Sequence, residues 1–422
     1  MISKPRFQCP LAILVISLFV SAVAISAQNP MPTPRQERLL NGLKVLMWND
    51  PKADHISLKV RVNAGSAFDP QGKEGVMKIL AAHLLPTADA REFFTDELGG
   101  SVEVVTNFDY IQINATSRPD KLLDLLETVS NAINNLNVDK ESVARFKAEQ
   151  VQQVQKLAKD PVYAADLAAS TRLLGTFPYG RAQNGTIESL GRVDFADVLF
   201  AKERFFTADN ATVAISGSFD QALAYRALRR FFGNWLKADK KVPTAFRQPD
   251  EPDTKLLSVK LDSPGNTQAR YAMRGIARND KDYVAAEILE RILQGRLTAA
   301  AAKQNASEAF VRSESHVLPG VLLFGYTVNS DAVPNLVSQV MAAPVTAEEF
   351  SRAKAEASEA AMQRAPADWW LDAETYKIAS VADDMRAAGS VTAADVQRVL
   401  DRLAKNPMVA VSVVPAATSS SN

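Results

Sequence analysis

The sequence predicts an α+β protein made of two tandem, related domains, each a mostly antiparallel sheet with helices packed on one face. Two observations predict this class. Paired β-type runs precede long helical stretches in each half, and the same order of elements returns after roughly 200 residues. The length of 422 residues also exceeds what one core usually fills. Two such domains facing one another would enclose a cleft that suits an extended peptide.

The first half begins with two β-type runs, the second of which has an apolar residue at every other position from Ile56 to Val62. A helical stretch follows, then two more strands and a long helical block. A final β-type run closes this half. The predicted strands are 43–48, 56–63, 101–106, 110–116 and 211–216, with helices over 73–85, 121–136 and within 140–206.

The second half gives nearly the same order. Two of its later helices open with capping-box-like sequences at Thr346 and Thr392. The pair Trp369 and Trp370 is expected to anchor a helix start, with one ring in the core. The predicted strands are 256–261, 268–273, 308–315, 321–328 and 408–414, with a long helix over 281–303.

The N-terminus has the pattern of a secretory signal peptide: Lys4 and Arg6 precede an apolar run that ends in small residues. An uncleaved N-terminal anchor is the alternative. No later stretch is long and apolar enough to span a membrane. The predicted organisation is a signal peptide at 1–27, an extended leader at 28–36, a first domain at 37–236, a linker at 237–254, a second domain at 255–416 and a disordered tail at 417–422.

Composition excludes several classes of protein. Lysine and arginine total 48, as do aspartate and glutamate, so there is no basic field for nucleic acid. The single cysteine, Cys9, would leave with the signal peptide, which excludes an internal disulfide and a thiol nucleophile and fits an oxidising periplasmic or extracellular compartment. Three histidines leave little material for a metal site.

Short motifs along most of the chain occur in an order that resembles the insulinase or pitrilysin-type metallopeptidases, which include the mitochondrial-processing-peptidase-like proteins. They are the segments 40–45, 62–75, 177–180, 215–217, 262–268 and 345–349. The resemblance implies the fold described above. It also implies a zinc motif, His-x-x-Glu-His, directly after Gly75.

The chain departs from that pattern where the family carries its chemistry. The motif needs two His ligands on adjacent turns of one helix and a Glu as general base. Lys78 and Ala82 stand at the two His positions, and Ala81 stands at the Glu position. Lys78 would oppose a metal cation, so the resemblance predicts a catalytically degenerate member that has lost its zinc.

The remaining family positions are degenerate too. The resemblance places the third zinc ligand at Gln153, or one turn earlier at Glu149, and it places Phe310 where the family has a tyrosine. Arg296 matches an arginine that has a structural role in the family, rather than the catalytic arginine. We therefore predict no catalytic residues and no cofactor.

His83 is the one remote metal candidate. It follows the second His position of the motif by one residue, so its side chain is rotated by about 100° around the helix. A helix residue with a local hydrogen bond is the simpler interpretation of His83. His55 and His316 flank predicted strands and are expected at the surface or at loop edges.

The predicted strand at 101–106 is the candidate peptide-binding element, because the corresponding family strand edges the cleft and pairs with extended substrate. Its residues are Ser101, Val102, Glu103, Val104, Val105 and Thr106. Backbone pairing does not require the catalytic residues. An interior strand would have no such role.

The resulting hypothesis is a non-catalytic subunit that forms half of a peptide-binding chamber with an active, zinc-bearing homologue. Self-association of this chain is the alternative to pairing with a homologue. Two alternatives remain, an active exported metallopeptidase with an atypical site and a stand-alone peptide-binding or structural protein.

Overall fold

The computed structural model describes residues 32–238, 242, 246–330 and 333–416. The predicted signal peptide and C-terminal tail lie outside the described residues. From Thr33 onward the chain belongs to one compact unit. Its strands are β1 (Arg35–Arg38), β2 (Lys44–Asn49), β3 (Ile56–Val62), β4 (Val102–Thr106), β5 (Ile111–Ser117), β6 (Ala211–Gly217), β7 (Leu257–Leu261), β8 (Thr267–Arg274), β9 (Ser307–Glu314), β10 (Val321–Val328) and β11 (Met408–Pro415).

The helices lie between groups of strands, with the longest helical blocks after β5 and after β10, and short 3₁₀ turns connect some of them. They are α1 (Val76–Ala82), α2 (Ala88–Asp96), α3 (Leu122–Asn134), α4 (Lys140–Leu157), α5 (Pro161–Leu174), α6 (Ile187–Arg192), α7 (Phe195–Phe205), α8 (Gln221–Phe232), α9 (Tyr283–Lys303), α10 (Leu336–Ala342), α11 (Ala347–Gln363), α12 (Pro366–Tyr376), α13 (Val381–Ser390) and α14 (Ala393–Leu403).

Two separate sheets confirm the predicted fold class. The first has the strand order β1-β2-β6-β3-β5-β4 and the second has the order β7-β11-β8-β10-β9. Most neighbours are antiparallel, while β2 pairs with β6 and β7 with β11 in parallel. Strand β4 is an edge of the first sheet, and β9 is an edge of the second.

Each sheet buries one face against helices of its own half. The alternating apolar residues of β3, such as Leu58 and Val60, share a core with Leu125 and Leu126 of α3. In the second half, Phe324 and Tyr326 of β10 share a core with residues of α9 and α14. These two cores fit the period-2 and period-3.6 patterns in the sequence.

The other face of each sheet is covered by a helix from the opposite half, which the sequence did not predict. Ala165 and Ala169 of α5 pack in one cluster with Ala272 of β8 and Val411 of β11. Leu371 of α12 packs in another cluster on the first sheet. Each sheet is therefore buried on both faces in part, and the two halves are held together by this exchange.

Charged pairs align each exchanged helix on its sheet. Asp368 and Asp372 of α12 are four residues apart, a rise of about 6 Å along a helix. Lys59 and Arg61 of β3 are two residues apart, about 6.6 Å along a strand. The two spacings match, so Lys59 reaches Asp368 and Arg61 donates to Asp372 at 2.7 Å.

Helix α5, the other exchanged helix, is also aligned by charged pairs. Asp166 of α5 accepts a hydrogen bond from Arg270 of β8 at 2.5 Å and from Arg312 of β9 at 3.0 Å. Arg270 is only 1% exposed. A buried arginine of each sheet is thus neutralised by an aspartate from the other half.

Two segments that were predicted to lie outside the domains take part in the fold. Arg35 and Gln36, within the predicted leader, belong to β1 and pair with Met47 and Leu46 of β2. Phe246, within the predicted linker, packs against Phe68, with the centroids of the two rings 5.5 Å apart.

None of the described helices has both the length and the apolar character that a membrane crossing requires.

Arg296 of α9 fixes the turn that precedes α11. Its guanidinium group binds both carboxylate oxygens of Glu349 at 2.7 and 2.8 Å and donates to the carbonyl of Ala343 at 2.7 Å. The hydrogen bond from Arg296 lowers the pKa of Glu349 to about 2. Arg296 therefore has the structural role that the resemblance implied.

Replacing Asp372 should destabilise the fold far more than replacing Asp368. Asp372→Ala leaves Arg61 as a buried, uncompensated charge, so we expect the free energy of unfolding to fall by about 3–5 kcal/mol. Asp368→Ala breaks a partly exposed pair and should cost about 1 kcal/mol or less. Urea unfolding of both variants measures the difference, and equal losses would contradict the role of Asp372.

Glu349→Gln should lose stability in a pH-dependent way. The carboxyl of Glu349 titrates near 4.5 in the unfolded chain and at about 2 when folded, so the unfolded state binds more protons between these values. The stability that Glu349 contributes is complete above about pH 4.5 and is lost as the pH falls toward 2. Urea unfolding at pH 6 and pH 3 should show a wider gap between the wild type and Glu349→Gln at pH 6. Glu359→Gln, at an exposed position of the same helix, is the control and should show no such change.

Candidate functional site

Helix α1 is the element on which the resemblance places the zinc motif. It begins after Gly75, whose φ of 105° favours glycine. Asp69 holds its start, because its carboxylate accepts the backbone N–H groups of Gly75 and Met77, both at 2.8 Å. Within α1, only Lys78 and Ala82 are not buried. Since these residues are four apart, they share one partly exposed stripe of the helix.

Lys78 therefore stands on the face where the family would bind its metal. Its side chain is half-buried, and burial lowers the pKa of its amine. Within the part of the chain that the structure describes, no carboxylate forms an ion pair with it. The stripe offers a cation in place of a metal ligand.

The other predicted positions offer no metal-binding geometry. Ala81 is buried against the core, and Gln153 is exposed on α4. Glu149 is exposed as well. The described residues contain no group of three or more His, Cys, Asp or Glu side chains arranged to hold a metal ion.

His83 joins α1 to α4. Its Nδ1 donates to the carbonyl of Ile79 at 2.8 Å, and its Nε2 lies 3.1 Å from the hydroxyl of Ser142. The ring packs edge-on against Phe146, with centroids 4.6 Å apart. Burial lowers the pKa of His83. Both ring nitrogens thus have protein partners, which leaves neither for a metal in this arrangement.

The free edge of the first sheet lies beside α1, which packs against β4. The residues on either side of β4 form backbone hydrogen bonds at the two ends of its pairing with β5. The N–H of Thr116 donates to the carbonyl of Ser101, and the N–H of Asn107 donates to the carbonyl of Tyr110. Because bonded residues alternate along an antiparallel pair, the backbone groups of Val102 and Val104 face away from β5. These groups can accept an added strand.

The side chains of β4 alternate between the two faces of the sheet. Val102 and Val104 pack toward the helical core. Val105 lines a cavity of about 400 Å³ together with Arg61 and Tyr110. At the end of the strand, the carbonyl of Thr106 accepts a hydrogen bond from the Gln183 amide at 3.2 Å. The predicted peptide-binding element therefore has one open backbone edge and a cavity on one face.

Phe310 lies on β9, the edge of the second sheet, and acts as a packing group. A Cβ atom at Gly325 would come within 2.2 Å of the Phe310 ring, so the ring covers that glycine. The guanidinium group of Arg270 lies 5.0 Å from its centroid. Phe310 has no hydroxyl that could bind a peptide carbonyl.

His316 lies in the loop directly after β9, as the loop-edge expectation had it, but it is buried rather than at the surface. Its Nδ1 lies 3.0 Å from Asp109 Oδ2, and the Tyr179 hydroxyl donates to Asp109 Oδ1 at 2.8 Å. Burial and the Asp109 carboxylate raise the pKa of Tyr179. No local pattern could have revealed this cluster, because Asp109 is 207 residues away in sequence from His316. His55, by contrast, is exposed beside Asp54.

A cavity of about 530 Å³ lies next to this cluster, between the two halves. Asp109 and Tyr179 of the first half line it together with Val317, Glu374 and Thr375 of the second. The predicted cleft between the halves is therefore present, with polar groups from both.

Comparisons with known proteins agree with this geometry. Residues 44–176 match the family model described as Insulinase (Peptidase family M16). Residues 192–365 match the model described as Peptidase M16 inactive domain. A probable mitochondrial-processing peptidase subunit beta of Arabidopsis thaliana is 23% identical over 280 residues, which are 62% of this chain and 50% of that protein. The match thus spans about half the length of that relative.

Solved structures show the same fold at low sequence identity. A protease from Helicobacter pylori superposes with a TM-score of 0.82 at 17% identity, covering 91% of this chain and 100% of that one. A peptidase M16 inactive domain from Pseudomonas fluorescens gives 0.80 at 20% identity, covering 91% and 98%. Together with the family models, these matches confirm the resemblance found in the sequence. The chain belongs to the insulinase family of peptidases, family M16, as a member without the His-x-x-Glu-His motif.

Proposed function

We propose that this protein is a non-catalytic subunit that forms half of a peptide-binding chamber with a zinc-bearing homologue. One observation carries the proposal. The helix stripe that would hold the metal presents Lys78 and Ala82 instead, while the strand edge beside it keeps its outward backbone groups at Val102 and Val104. This arrangement supports a chain that keeps the proposed binding element without the zinc chemistry.

Ligand chemistry supports the proposed absence of a zinc site. Zinc in a peptidase needs three protein ligands and a water that a general base can deprotonate. Alanine and glutamine provide neither a strong ligand nor a base at the matching positions, and the Lys78 ammonium repels a divalent cation. Zinc is thus proposed to be lost, and cleavage would depend on the partner.

Peptide binding would use the edge of β4. An extended segment that pairs with Val102 and Val104 continues the first sheet by one strand. Lys78 is on the helix that packs against this strand and has no acidic partner among the described residues, so it favours a segment with a carboxylate at the nearest position. The cavity that Val105 lines can take a side chain from the added strand.

The partner is proposed from two considerations. Each half of a divided chamber normally provides something that the other lacks, and this chain lacks the His-x-x-Glu-His motif. The Arabidopsis relative is described as a subunit, which supports an assembly of homologous chains. The signal-peptide pattern leads us to propose that the assembly forms outside the cytoplasm, in the periplasm or beyond.

Adding this protein to the zinc-bearing homologue of the same organism should increase cleavage of a fluorogenic peptide. The rate is measured for the homologue alone, for this protein alone and for the mixture. We expect activity in the mixture, little for the homologue alone and none for this protein alone. Val104→Pro removes an outward N–H on an edge strand that tolerates proline and should abolish the gain, while Val104→Ala should keep it.

The other outcomes separate the alternatives. A stoichiometric zinc in this protein, with cleavage by the protein alone, would show an atypical peptidase. If a zinc-bearing homologue neither co-purifies with the protein nor gains activity from it, the subunit proposal fails and a stand-alone peptide-binding role remains.

A further inference from the structure

A separate cavity of about 350 Å³ lies in the second half, bounded by α9, α11, α12 and α13. Its volume is in the range of small-molecule sites. One wall is apolar and consists of short side chains from α11 and α13 with one methionine. These residues are Ala357, Ala360, Ala361, Met385 and Ala388. The other wall carries Arg278, Arg291 and Arg364.

The carboxylates of this cavity already have partners. Both terminal nitrogens of Arg278 bind Asp384, at 3.1 and 2.5 Å. Asp372 is held by Arg61 at 2.7 Å and by Arg364. Glu287 accepts the hydroxyl of Tyr283 at 2.8 Å. Asp372 and Asp384 are therefore engaged by arginines, whereas Glu287 accepts one neutral hydroxyl through one of its two oxygens.

Three guanidinium groups and three carboxylates line the cavity, so the charges of the lining itself are balanced. Arg61 does not line the cavity, but it reaches Asp372 from the first sheet and adds a fourth guanidinium group to the ion-pair network. This added positive charge favours a ligand with one negative charge.

Two buried N–H donors on the wall have no acceptor among the described residues. Arg278 is 4% exposed, and its Nε comes no closer than 3.9 Å to Asp372. Trp369 is 6% exposed, and its indole Nε1 is also without a partner. The guanidinium group of Arg364 stacks over that indole at 4.5 Å. Buried donors of this kind normally find an acceptor.

Arg291 adds donors of its own. One terminal nitrogen of Arg291 donates to the Glu287 carbonyl at 2.8 Å. In the described part of the chain its guanidinium group forms no ion pair with a carboxylate. The cavity lining therefore combines the donors of Arg278, Arg291 and Trp369 with alanine side chains of α11 and α13.

We propose that this cavity binds a monocarboxylate with an apolar body. The carboxylate accepts from the Trp369 indole, Arg278 Nε and Arg291, and the apolar body packs against α11 and α13. A phosphate dianion would exceed the one added positive charge, and a neutral amide would leave Arg291 without an anionic partner. The site shares neither Lys78 nor β4 with the proposed peptide edge, so it does not depend on the proposed function.

Indole NMR of the ¹⁵N-labelled protein tests this site with 4-methylpentanoate as the probe. The sequence has four tryptophans, and Trp369→Phe assigns the signal of Trp369. At constant ionic strength, we expect 4-methylpentanoate to shift the Trp369 signal in a saturable manner. The signal of Trp235, whose indole donates to the Phe206 carbonyl, should stay in place. The matched neutral 4-methylpentanamide should cause no shift.

Variants separate binding from folding. Arg291→Gln should weaken the affinity for 4-methylpentanoate by about tenfold, because a charge-assisted hydrogen bond is lost. Arg386→Gln, at an exposed position of α13, is the matched control and should leave the affinity unchanged. Unchanged affinity in Arg291→Gln would overturn the assignment of this wall.

A last comparison identifies the source of the carboxylate. An acetylated tripeptide that ends in leucine is tested with a free C-terminus and with an amidated one. Binding of the free acid alone supports the end of a peptide as the ligand, whereas binding of 4-methylpentanoate without the tripeptide supports a small organic acid. The proposal is overturned if 4-methylpentanoate gives no saturable shift of Trp369, or if inorganic phosphate or the amide gives the same shift.

Discussion

The contact on which much of this structure depends is the ion pair between Asp372 of α12 and Arg61 of β3. Burial alone would raise the pKa of Asp372, but the guanidinium groups of Arg364 and Arg61 outweigh it and keep the pKa below its usual value. The charged carboxylate therefore fixes a helix of the second half on a sheet of the first. It also places Arg61 beside Val105 and Arg278 beside the arginine-rich cavity, so one aspartate positions the walls of two cavities.

Protein contacts support the helix on which the resemblance places the zinc motif. The resemblance places ligand positions on both α1 and α4, so zinc ligands there would connect the two helices. Here His83 makes that connection through Ser142, Asp69 holds the first amides of α1, and the apolar face of the helix is buried. Since protein contacts alone hold the helix pair, Lys78 and Ala82 can occupy the ligand positions without harm to the fold. This is consistent with a scaffold kept for binding.

The fold could be predicted from the sequence further than the sites could. Alternating residues such as Leu58 and Val60 gave the strands, and capping sequences such as that at Thr346 gave helix starts, because both signals are local. The exchange of α5 and α12 is not local. The small residues Ala165 and Ala169 indicate that α5 packs closely against another element. Only the tertiary structure shows that this element is the sheet of the second half.

The same limit applies to the sites. Lys78, Ala81 and Ala82 could be placed because they follow a motif at fixed spacing, and β4 could be proposed as an edge from the resemblance. The cluster of Asp109, Tyr179 and His316 joins segments from both halves, so no spacing could predict it. The cavity near Trp369 draws donors from α9, α12 and the segment before α9, and only Trp369 had been noted in the sequence.

Hydrogen exchange at β4 in the presence of a chelator tests metal-free peptide binding most directly. An extended peptide should protect the amides of Val102 and Val104, which face away from β5, and should leave those of Glu103 and Val105 unchanged because they already face that strand. Absence of protection at Val102 and Val104, or protection that appears only when zinc is added, would contradict a scaffold that binds peptide without its metal.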